Sequence, residues 1–262
     1  MEKVSIIIPA YNEEKRIGKT LEEYSRFFKE LFNKKILDYE FLIVINNTTD
    51  RTEEVVKLAQ KKDSKILCRN VKPKGKGLAI IEGFKDALAR KNDLIGFVDA
   101  DMSTKPDAFY DLIKNIGNYG GIIASRYVPG AVVRPKQTIQ RIIVSRIFNA
   151  AIRSILLIPY RDTQCGAKLF KRKAIQTVLS KIRMSKWAFD VDLLYAIRKE
   201  GYKIKECPTA WGDKEDSKLN FIKVGPMMGL AIIRLRLLNS PFHDLIKFYD
   251  KIVTRFIWRF LK

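Results

Sequence analysis

The stretch Leu94-Ile95-Gly96-Phe97-Val98-Asp99-Ala100-Asp101 decides the fold of this chain. An apolar run ends in two carboxylates that are separated by one small residue. Residues i and i+2 of a β-strand point to the same side, so a strand that continues to Asp101 places Asp99 and Asp101 side by side. Such carboxylates repel each other unless a cation joins them, and Mg²⁺ is often held by one or two carboxylates plus substrate phosphates. The triplet therefore indicates a metal that holds a phosphorylated substrate, although paired acids also occur in solvated turns and helix caps.

Apolar segments alternate with helical patterns in the first hundred residues. The predicted strands are 4–8, 39–45, 64–68 and 94–99, and the predicted helices are 15–31, 50–61 and 77–90. Continuously apolar strands separated by helices indicate a mostly parallel sheet with helices on both faces. Ligands of such sheets bind beyond the carboxyl ends of the strands. Polar segments follow these strands at 9–13, 46–50, 72–77 and 99–103. We therefore expect a nucleotide-sized site along this edge.

The second half of the chain continues the alternation with longer helices. It predicts a helix that opens at 105–107, a strand at 121–125, a helix at 139–158, a polar turn at 161–166 before an apolar stretch to 170, a helix at 190–199 and a strand at 202–207. The helix at 139–158 carries polar residues at every fourth position, which places them along one face and the apolar residues on the opposite face. Those polar residues are Arg141, Ser145, Asn149 and Arg153.

The C-terminal segment has a different character. Asn239-Ser240-Pro241 predicts a helix start, because a capping side chain precedes a proline in the first turn. The following residues form an apolar stripe of Leu245, Tyr249, Ile252, Phe256 and Phe260, opposite Lys247, Lys251, Arg255, Arg259 and Lys262. A cationic amphipathic helix rich in aromatic residues suits the plane of a membrane interface. The alternative is that the stripe packs on the protein's own core or on a second subunit.

The composition favours an anionic partner. The 262 residues include 50 Lys+Arg against 29 Asp+Glu, which gives a net charge of +21, and 47% of the residues are hydrophobic. Nucleic acid, anionic lipid headgroups and nucleotide phosphates all suit this charge. The basic residues alternate with long aliphatic stripes, which favours lipid over nucleic acid. A nucleic-acid-binding protein remains the non-enzyme alternative.

Cysteine usage and hydropathy predict the compartment. The three cysteines are widely spaced, which fits neither a disulfide framework nor a zinc site and favours a reducing compartment. The N-terminal apolar run is too short for a signal peptide, and no window holds the roughly 18 apolar residues of a membrane span. We expect a cytoplasmic protein that associates peripherally with a membrane. The oligomeric state is not predicted.

Several motifs, taken in order, resemble glycosyltransferase family 2, the inverting enzymes of GT-A fold. They are Ile7 to Glu13, Thr48 to Thr52, Lys74 to Gly77 and Asp99 to Asp101. Three later segments, 162–170, 187–192 and 217–220, look most like dolichyl-phosphate or polyprenyl-phosphate glucose and mannose synthases. The resemblance implies a GT-A catalytic domain at 1–222, with a nucleotide-sugar half (1–104) and an acceptor half (105–222). Residues 223–262 would be amphipathic membrane-interface helices.

The resemblance also implies a reaction. A hexose would pass with inversion from a nucleotide sugar to dolichyl or polyprenyl phosphate at the cytoplasmic membrane surface. UDP-glucose is the first choice of donor, because 162–170 looks most like the glucose type, and GDP-mannose is the second. A lipid phosphate attacks as an anion, whereas a hydroxyl must lose a proton to a base. The enzymatic alternative is a transferase that acts on a saccharide or glycolipid hydroxyl.

Site residues follow from the matched motifs. The metal, Mg²⁺ or Mn²⁺, would be held by Asp101 and Asp99. The donor would be bound by Pro9, Tyr11, Glu13, Asn46, Lys76, Asp99 and Ala100. Catalysis would involve Asp101, Arg126, Asp162, Gln164 and Asp190, and the acceptor would be bound by Arg141, Arg146, Ser217 and Lys218. Structural roles for these residues stay open as alternatives. Tyr11 would only pack, Lys76 would be a solvated lysine, Arg126 would be an ordinary surface arginine and Asp162 would cap the next turn. The arginines of the 139–158 helix would serve solubility.

One position departs from the family pattern. Family members usually carry an Asp-Asp pair after the second strand, where a carboxylate accepts from the nucleobase N–H. Here the pair is replaced by Ile45-Asn46. An Asn oxygen can accept the same hydrogen bond without charge assistance, so the sequence does not determine which nucleobase is bound.

Overall fold

The fold alternates strands and helices as the sequence predicts. A computed structural model describes residues 1–72, 75–135, 139–183, 188–212 and 221–260. The elements are β1 (Lys3–Ala10), α1 (Ile17–Asn33), β2 (Asp38–Asn46), α2 (Thr52–Lys62), β3 (Ile66–Val71), α3 (Lys76–Ala89), β4 (Leu94–Phe97), α4 (Pro106–Asn115), β5 (Gly121–Ser125), β6 (Val132–Val133), α5 (Ile139–Leu156), β7 (Lys168–Lys171), α6 (Arg172–Val178), α7 (Phe189–Lys199), β8 (Ile204–Pro208), β9 (Ala210–Trp211), α8 (Phe221–Leu238) and α9 (Ile246–Phe260).

The central sheet has the strand order β3-β2-β1-β4-β7-β5-β8. All neighbouring strands are parallel except that β7 runs antiparallel to both β4 and β5. The expectation of a mostly parallel sheet is confirmed. Because β7 is reversed, its first residue, Lys168, pairs with the last residue of β4, Phe97. The segment before β7 therefore reaches the edge where β1, β2 and β4 end.

Helices cover both faces of the sheet, which explains why its strands are apolar without alternation. Ile6 and Ile8 point into a core that contains Tyr24 and Phe28 of α1. Ile7, between them, points into the opposite core. Helix α3 covers that second face, where its glycine and alanine positions let it approach β1 closely.

Some boundaries differ from the sequence expectation. β4 ends at Phe97, so Asp99 and Asp101 lie in the turn beyond the strand and not within it. α6 was not predicted. The C-terminal helix begins at Ile246 and not at Pro241. The hydroxyl of Ser240 donates to the carbonyl of Leu237 at 2.9 Å and accepts from the backbone N of Phe242 at 3.2 Å, so this side chain links the end of α8 to the turn that leads into α9.

Over part of its length, helix α5 turns its polar face toward the protein and an apolar row toward solvent. Asn149 is buried, and its Oδ1 accepts from the backbone N and the Oγ1 of Thr163, both at 3.0 Å. Ser145 accepts from the hydroxyl of Tyr127 at 2.7 Å. The polar face thus points toward the domain over part of the helix. An apolar row faces outward, with exposed fractions of 76% at Ile139, 52% at Ile143, 44% at Val144 and 65% at Ile147.

The C-terminal helix α8 packs against α5. Ile232 and Leu235 of α8 are buried in the core that also contains Ile152 and Leu156 of α5. The predicted boundary at 222 therefore separates segments that share a core. No helix within the described ranges is both long and apolar enough to cross a bilayer.

Helix α9 is held on α8 by polar contacts. Arg234 forms an ion pair with Asp250 at 2.8 Å, and the hydroxyl of Tyr249 donates to the carbonyl of Leu230 at 2.6 Å. Tyr249 is thus half-buried, while other members of the predicted stripe, Leu245 and Ile252, stay exposed. The side chains of Phe256 and Phe260, like those of all residues from 254 onward, lie outside the described part of the structure.

Candidate active site

The loops after β1 and β2 are locked together by short polar side chains. Asn12 has a positive φ of 54°, and its Oδ1 accepts from the backbone N of Thr49 at 2.8 Å and from the Oγ1 of Thr48 at 2.9 Å. Asp50 accepts from the Oγ1 of Thr48 at 2.7 Å and from the backbone N of Glu14 at 3.1 Å. Burial acts to raise the pKa of Asp50, but the hydrogen bonds outweigh it and lower the pKa to about 2. These hydrogen bonds fix the two loops relative to each other at the edge of the sheet.

Three predicted donor residues lie at the end of β1 and on the loop that follows it. Tyr11 is 53% exposed, so it is free to stack on a ligand and does not serve as packing. Pro9 is half-buried at the end of the strand. Glu13 is paired with Arg16 at 2.7 Å. Partial burial has the largest effect on the pKa of Glu13 and raises it. Arg16 lowers the pKa, Asp101 and Asp99 raise it, and the net shift is upward. The predicted donor and metal residues therefore share one electrostatic environment.

Asn46 lies buried at the end of β2. Its Nδ2 donates to the carbonyl of Gly75 at 2.7 Å. Its Oδ1 is buried and has no hydrogen-bond partner within the described residues. A buried acceptor without a partner is costly, and a ligand N–H would satisfy it. Gly75 has φ of 134°, which a residue with a Cβ rarely adopts, so the turn before α3 requires glycine.

Asp99 and Asp101 lie in the turn beyond β4, where both carboxylates are close enough to influence Glu13 and Lys76. Oδ1 of Asp101 accepts from the backbone N of Ser103 at 2.9 Å. Asp99 forms an ion pair with Lys76, the first residue of α3. On its other side, Asp99 is pressed against Gly166, where an added Cβ would lie 1.9 Å from Oδ2. Ala100 is buried, and its carbonyl accepts from the Oγ1 of Thr20 at 2.7 Å, which anchors the turn to α1.

Lys76 is a cation among several carboxylates. Its side chain is 43% exposed. Burial acts to lower the pKa of Lys76, but the carboxylates of Asp99, Asp190 and Asp101 outweigh it and raise the pKa above the ordinary lysine value. The ammonium group is therefore charged at neutral pH and lies within reach of the predicted metal ligands.

Lys168 is a site residue that the sequence reasoning missed. It is fully buried, and its Nζ lies 2.6 Å from Oδ1 of Asp190 and 2.6 Å from the carbonyl of Cys165. The same Nζ is 5.3 Å from the ring centroid of Phe97. A lysine at the start of an apolar strand was the available signal, because a buried lysine requires a partner. The partner, Asp190, comes from the first turn of α7.

Arg126 and Asp162 form a buried ion pair with two hydrogen bonds. Asp162 is fully buried, and its oxygens accept from Nε of Arg126 at 2.8 Å and from Nη2 at 2.9 Å. Burial acts to raise the pKa of Asp162, but Arg126 outweighs it and holds the pKa below its usual range. The guanidinium also stacks 5.0 Å from the ring of Trp211. Each of these two predicted catalytic residues therefore neutralises the charge of the other in this structure.

The remaining predicted residues are less tightly held. Gln164 is half-buried, and its Nε2 lies 3.4 Å from the Oγ1 of Thr163. Arg146 is exposed on α5, with its guanidinium 5.1 Å from the ring of Tyr127. The predicted acceptor residues Ser217 and Lys218 and the side chain of Arg141 lie outside the described residues.

Residues 5–179 match the protein family described as Glycosyl transferase family 2. The chain belongs to this family. It is 31% identical over 234 residues to dolichyl-phosphate beta-glucosyltransferase ALG5A of Trichomonas vaginalis, covering 87% of this chain and 70% of that protein. It is 29% identical over 254 residues to the human dolichyl-phosphate beta-glucosyltransferase, covering 91% of this chain and 77% of that protein.

A solved structure shares the fold of this glycosyltransferase. Glucosyl-3-phosphoglycerate synthase from Mycobacterium tuberculosis, crystallised with Mn²⁺, UDP and phosphoglyceric acid, superposes with a TM-score of 0.62 at 17% identity. The match covers 90% of this chain and 78% of that one. At this identity the likeness establishes the fold alone, and it confirms the expected GT-A architecture.

The side chains of the glycosyltransferase fit a divalent cation that shares its coordination with a substrate. Among the described residues, no group of three or more His, Cys, Asp and Glu side chains could hold a metal alone. Mg²⁺ and Mn²⁺ often take only one or two carboxylates and complete their shell with substrate phosphates. The ammonium group of Lys76 on Asp99 shows that this position already attracts positive charge.

Proposed function

We propose that this glycosyltransferase moves a hexose with inversion from a nucleotide sugar to a polyprenyl phosphate of the dolichyl type, at a membrane surface. UDP-glucose is the proposed donor. The names of the similar proteins, which are dolichyl-phosphate beta-glucosyltransferases, support both the sugar and the acceptor class.

The ion pair between Lys168 and Asp190 is the observation that carries the choice of acceptor. A hydroxyl acceptor must lose a proton, so its enzyme needs a carboxylate that is free to take it. Here Oδ1 of Asp190 already accepts a 2.6 Å hydrogen bond from a fully buried ammonium group, so this oxygen is engaged by a cation and is not open to an acceptor hydroxyl. A phosphate acceptor is already an anion and needs no base. The pair therefore favours a phosphate over a hydroxyl.

The donor half of the proposal rests on the rim of the sheet. The Oδ1 of Asn46, which has no hydrogen-bond partner among the described residues, would accept from the N–H of the nucleobase, and Tyr11 would stack beside it. Asp101 and Asp99 would hold the divalent cation, which as a Lewis acid stabilises the charge that develops on the departing diphosphate. Arg126 and Asp162 would act as positioning residues, because their mutual pairing fixes the end of β5 against the segment that leads to β7.

The membrane part of the proposal rests on exposed apolar side chains in a strongly basic protein. The outward row of α5 and the exposed residues around the start of α9 present branched and aromatic groups to solvent. These residues are Ile139, Ile143, Val144, Ile147, Phe242, Leu245, Phe248 and Ile252. Apolar contact combined with a net charge of +21 suits an anionic bilayer.

A transfer assay separates the candidate acceptors. Radiolabelled UDP-glucose and GDP-mannose would each be offered with a polyprenyl phosphate, with the matching polyprenol and with a neutral glycolipid. We expect glucose transfer to the phosphate alone. Equal or greater transfer to either hydroxyl acceptor would overturn the argument from Asp190, and transfer from GDP-mannose alone would overturn the choice of donor.

Sedimentation with vesicles tests the membrane surface. The double variant Ile143→Asp/Ile147→Asp should lose binding to vesicles that contain anionic lipid. The matched control is Leu58→Asp, at a residue of α2 that is 59% exposed but lies outside the proposed surface. Equal binding by all three proteins would rule out this face of α5 as the contact.

A further inference from the structure

The position of Lys76 has a consequence for the order in which ligands bind. Its ammonium group is paired with Oδ1 of Asp99, and the carboxylates of Asp101 and Asp190 lie close enough to influence it. Asp99 is also one of the two proposed metal ligands. A divalent cation and the ammonium group would therefore compete for the same carboxylate.

The backbone at Lys76 is held in place, whereas much of its side chain is exposed to solvent. Gly75, directly before it, is held through its carbonyl by Nδ2 of Asn46 at 2.7 Å. Lys76 then begins α3, and 43% of its side chain surface is exposed. A four-carbon stem on a fixed backbone lets the ammonium group swing to another anion nearby without unfolding the helix. The diphosphate of a bound donor is such an anion.

We propose that Lys76 occupies the cation position at Asp99 until the donor arrives, so that the divalent ion binds together with the nucleotide sugar and not before it. This inference rests on the proposed function for the identity of the donor. The donor diphosphate draws the ammonium group away from Asp99, and the carboxylate is released to the metal. Lys76 is thus a positioning residue that enforces donor-dependent metal binding and keeps the lone ion out.

Electron paramagnetic resonance of Mn²⁺ tests this order on the full chain, with and without UDP. The variant Lys76→Met removes the competing cation and keeps much of the side-chain volume. We expect it to bind Mn²⁺ without UDP more tightly than the wild type by roughly tenfold or more, the effect of removing one charged hydrogen bond. UDP should then raise the Mn²⁺ affinity of the wild type much more than that of the variant.

The control is Lys105→Met, which removes the same charge from an exposed lysine four residues after Asp101. It should leave the Mn²⁺ affinity within about twofold of the wild type, because exposed charges interact weakly through water and salt. An unchanged or weaker Mn²⁺ affinity of Lys76→Met without UDP would overturn the inference while the proposed function stands. Absence of Mn²⁺ binding by the wild type even with UDP would overturn both.

Discussion

Gly166 is the position where a single added methyl group should disable the enzyme without unfolding it. In Gly166→Ala the new Cβ would lie 1.9 Å from Oδ2 of Asp99, and real Cβ contacts shorter than 3.0 Å essentially never occur. The carboxylate must therefore move by about 1 Å. A displacement of about 1 Å at a reacting centre can cost on the order of a hundredfold in rate. Gly166 is not among the glycines of positive φ, so alanine causes no backbone strain there.

Steady-state transfer kinetics and urea unfolding measure the two effects separately. We expect kcat/KM to fall by roughly a hundredfold, with the free energy of unfolding within about 1 kcal/mol of the wild type because the displaced group is a side-chain end. The matched control is Gly212→Ala, where the nearest atom to an added Cβ is 3.7 Å away. That variant should keep its activity.

A double-mutant cycle identifies the cause. If the methyl group acts by moving Asp99, then adding Gly166→Ala to an Asp99→Ala chain should change little, because the displaced carboxylate is already gone. The reasoning fails if Gly166→Ala lowers activity by the same factor in both backgrounds. It also fails if the single variant stays within about threefold of the wild type in kcat/KM.

Three further predictions test other contacts of the site. Lys168→Met should lower the free energy of unfolding by about 3 kcal/mol, since it leaves Asp190 without its buried partner. Adding Asp190→Asn to this variant should restore part of the loss in urea unfolding, and no restoration would contradict the pairing. Asp50→Asn should lower stability by about 1–2 kcal/mol at neutral pH. The folded pKa of Asp50, about 2, lies below its ordinary 3.8, so this difference is complete above about pH 4 and should shrink as the pH falls toward 2; a difference that stays constant between pH 7 and pH 2 would refute it. Asn46→Leu should weaken UDP binding by roughly tenfold in calorimetry, the loss of one hydrogen bond to a buried acceptor; unchanged affinity would remove Asn46 from the base site.

The donor edge of the fold was predictable because its signals are local. Apolar runs mark β1, β2 and β4, and the polar segments that follow them meet at one edge in any parallel sheet. The pairing of Asn12 with Thr48 and of Lys76 with Asp99 shows these segments in contact. The strand argument for Asp99 and Asp101 was wrong in detail, because β4 ends at Phe97.

The acceptor side was harder to predict because its contacts join distant parts of the chain. Lys168 and Asp190 are 22 residues apart, so the apolar strand around the lysine indicates that it is buried but does not identify Asp190 as its partner. The face of α5 was misleading for a similar reason. A polar stripe ordinarily faces water, yet Asn149 is turned inward by its hydrogen bonds to Thr163, and the apolar row is left outside.

The reversed strand β7 ties catalytic competence to the progress of synthesis. Asp99 leaves the ribosome 67 residues before Gly166, and the two meet only after β7 inserts between β4 and β5. A nascent chain that has folded only its first hundred residues therefore holds its acidic pair without the glycine segment that supports it. A chain that has not reached α7 also lacks Asp190, the partner of Lys168, so we expect transfer activity only after translation has passed both β7 and α7.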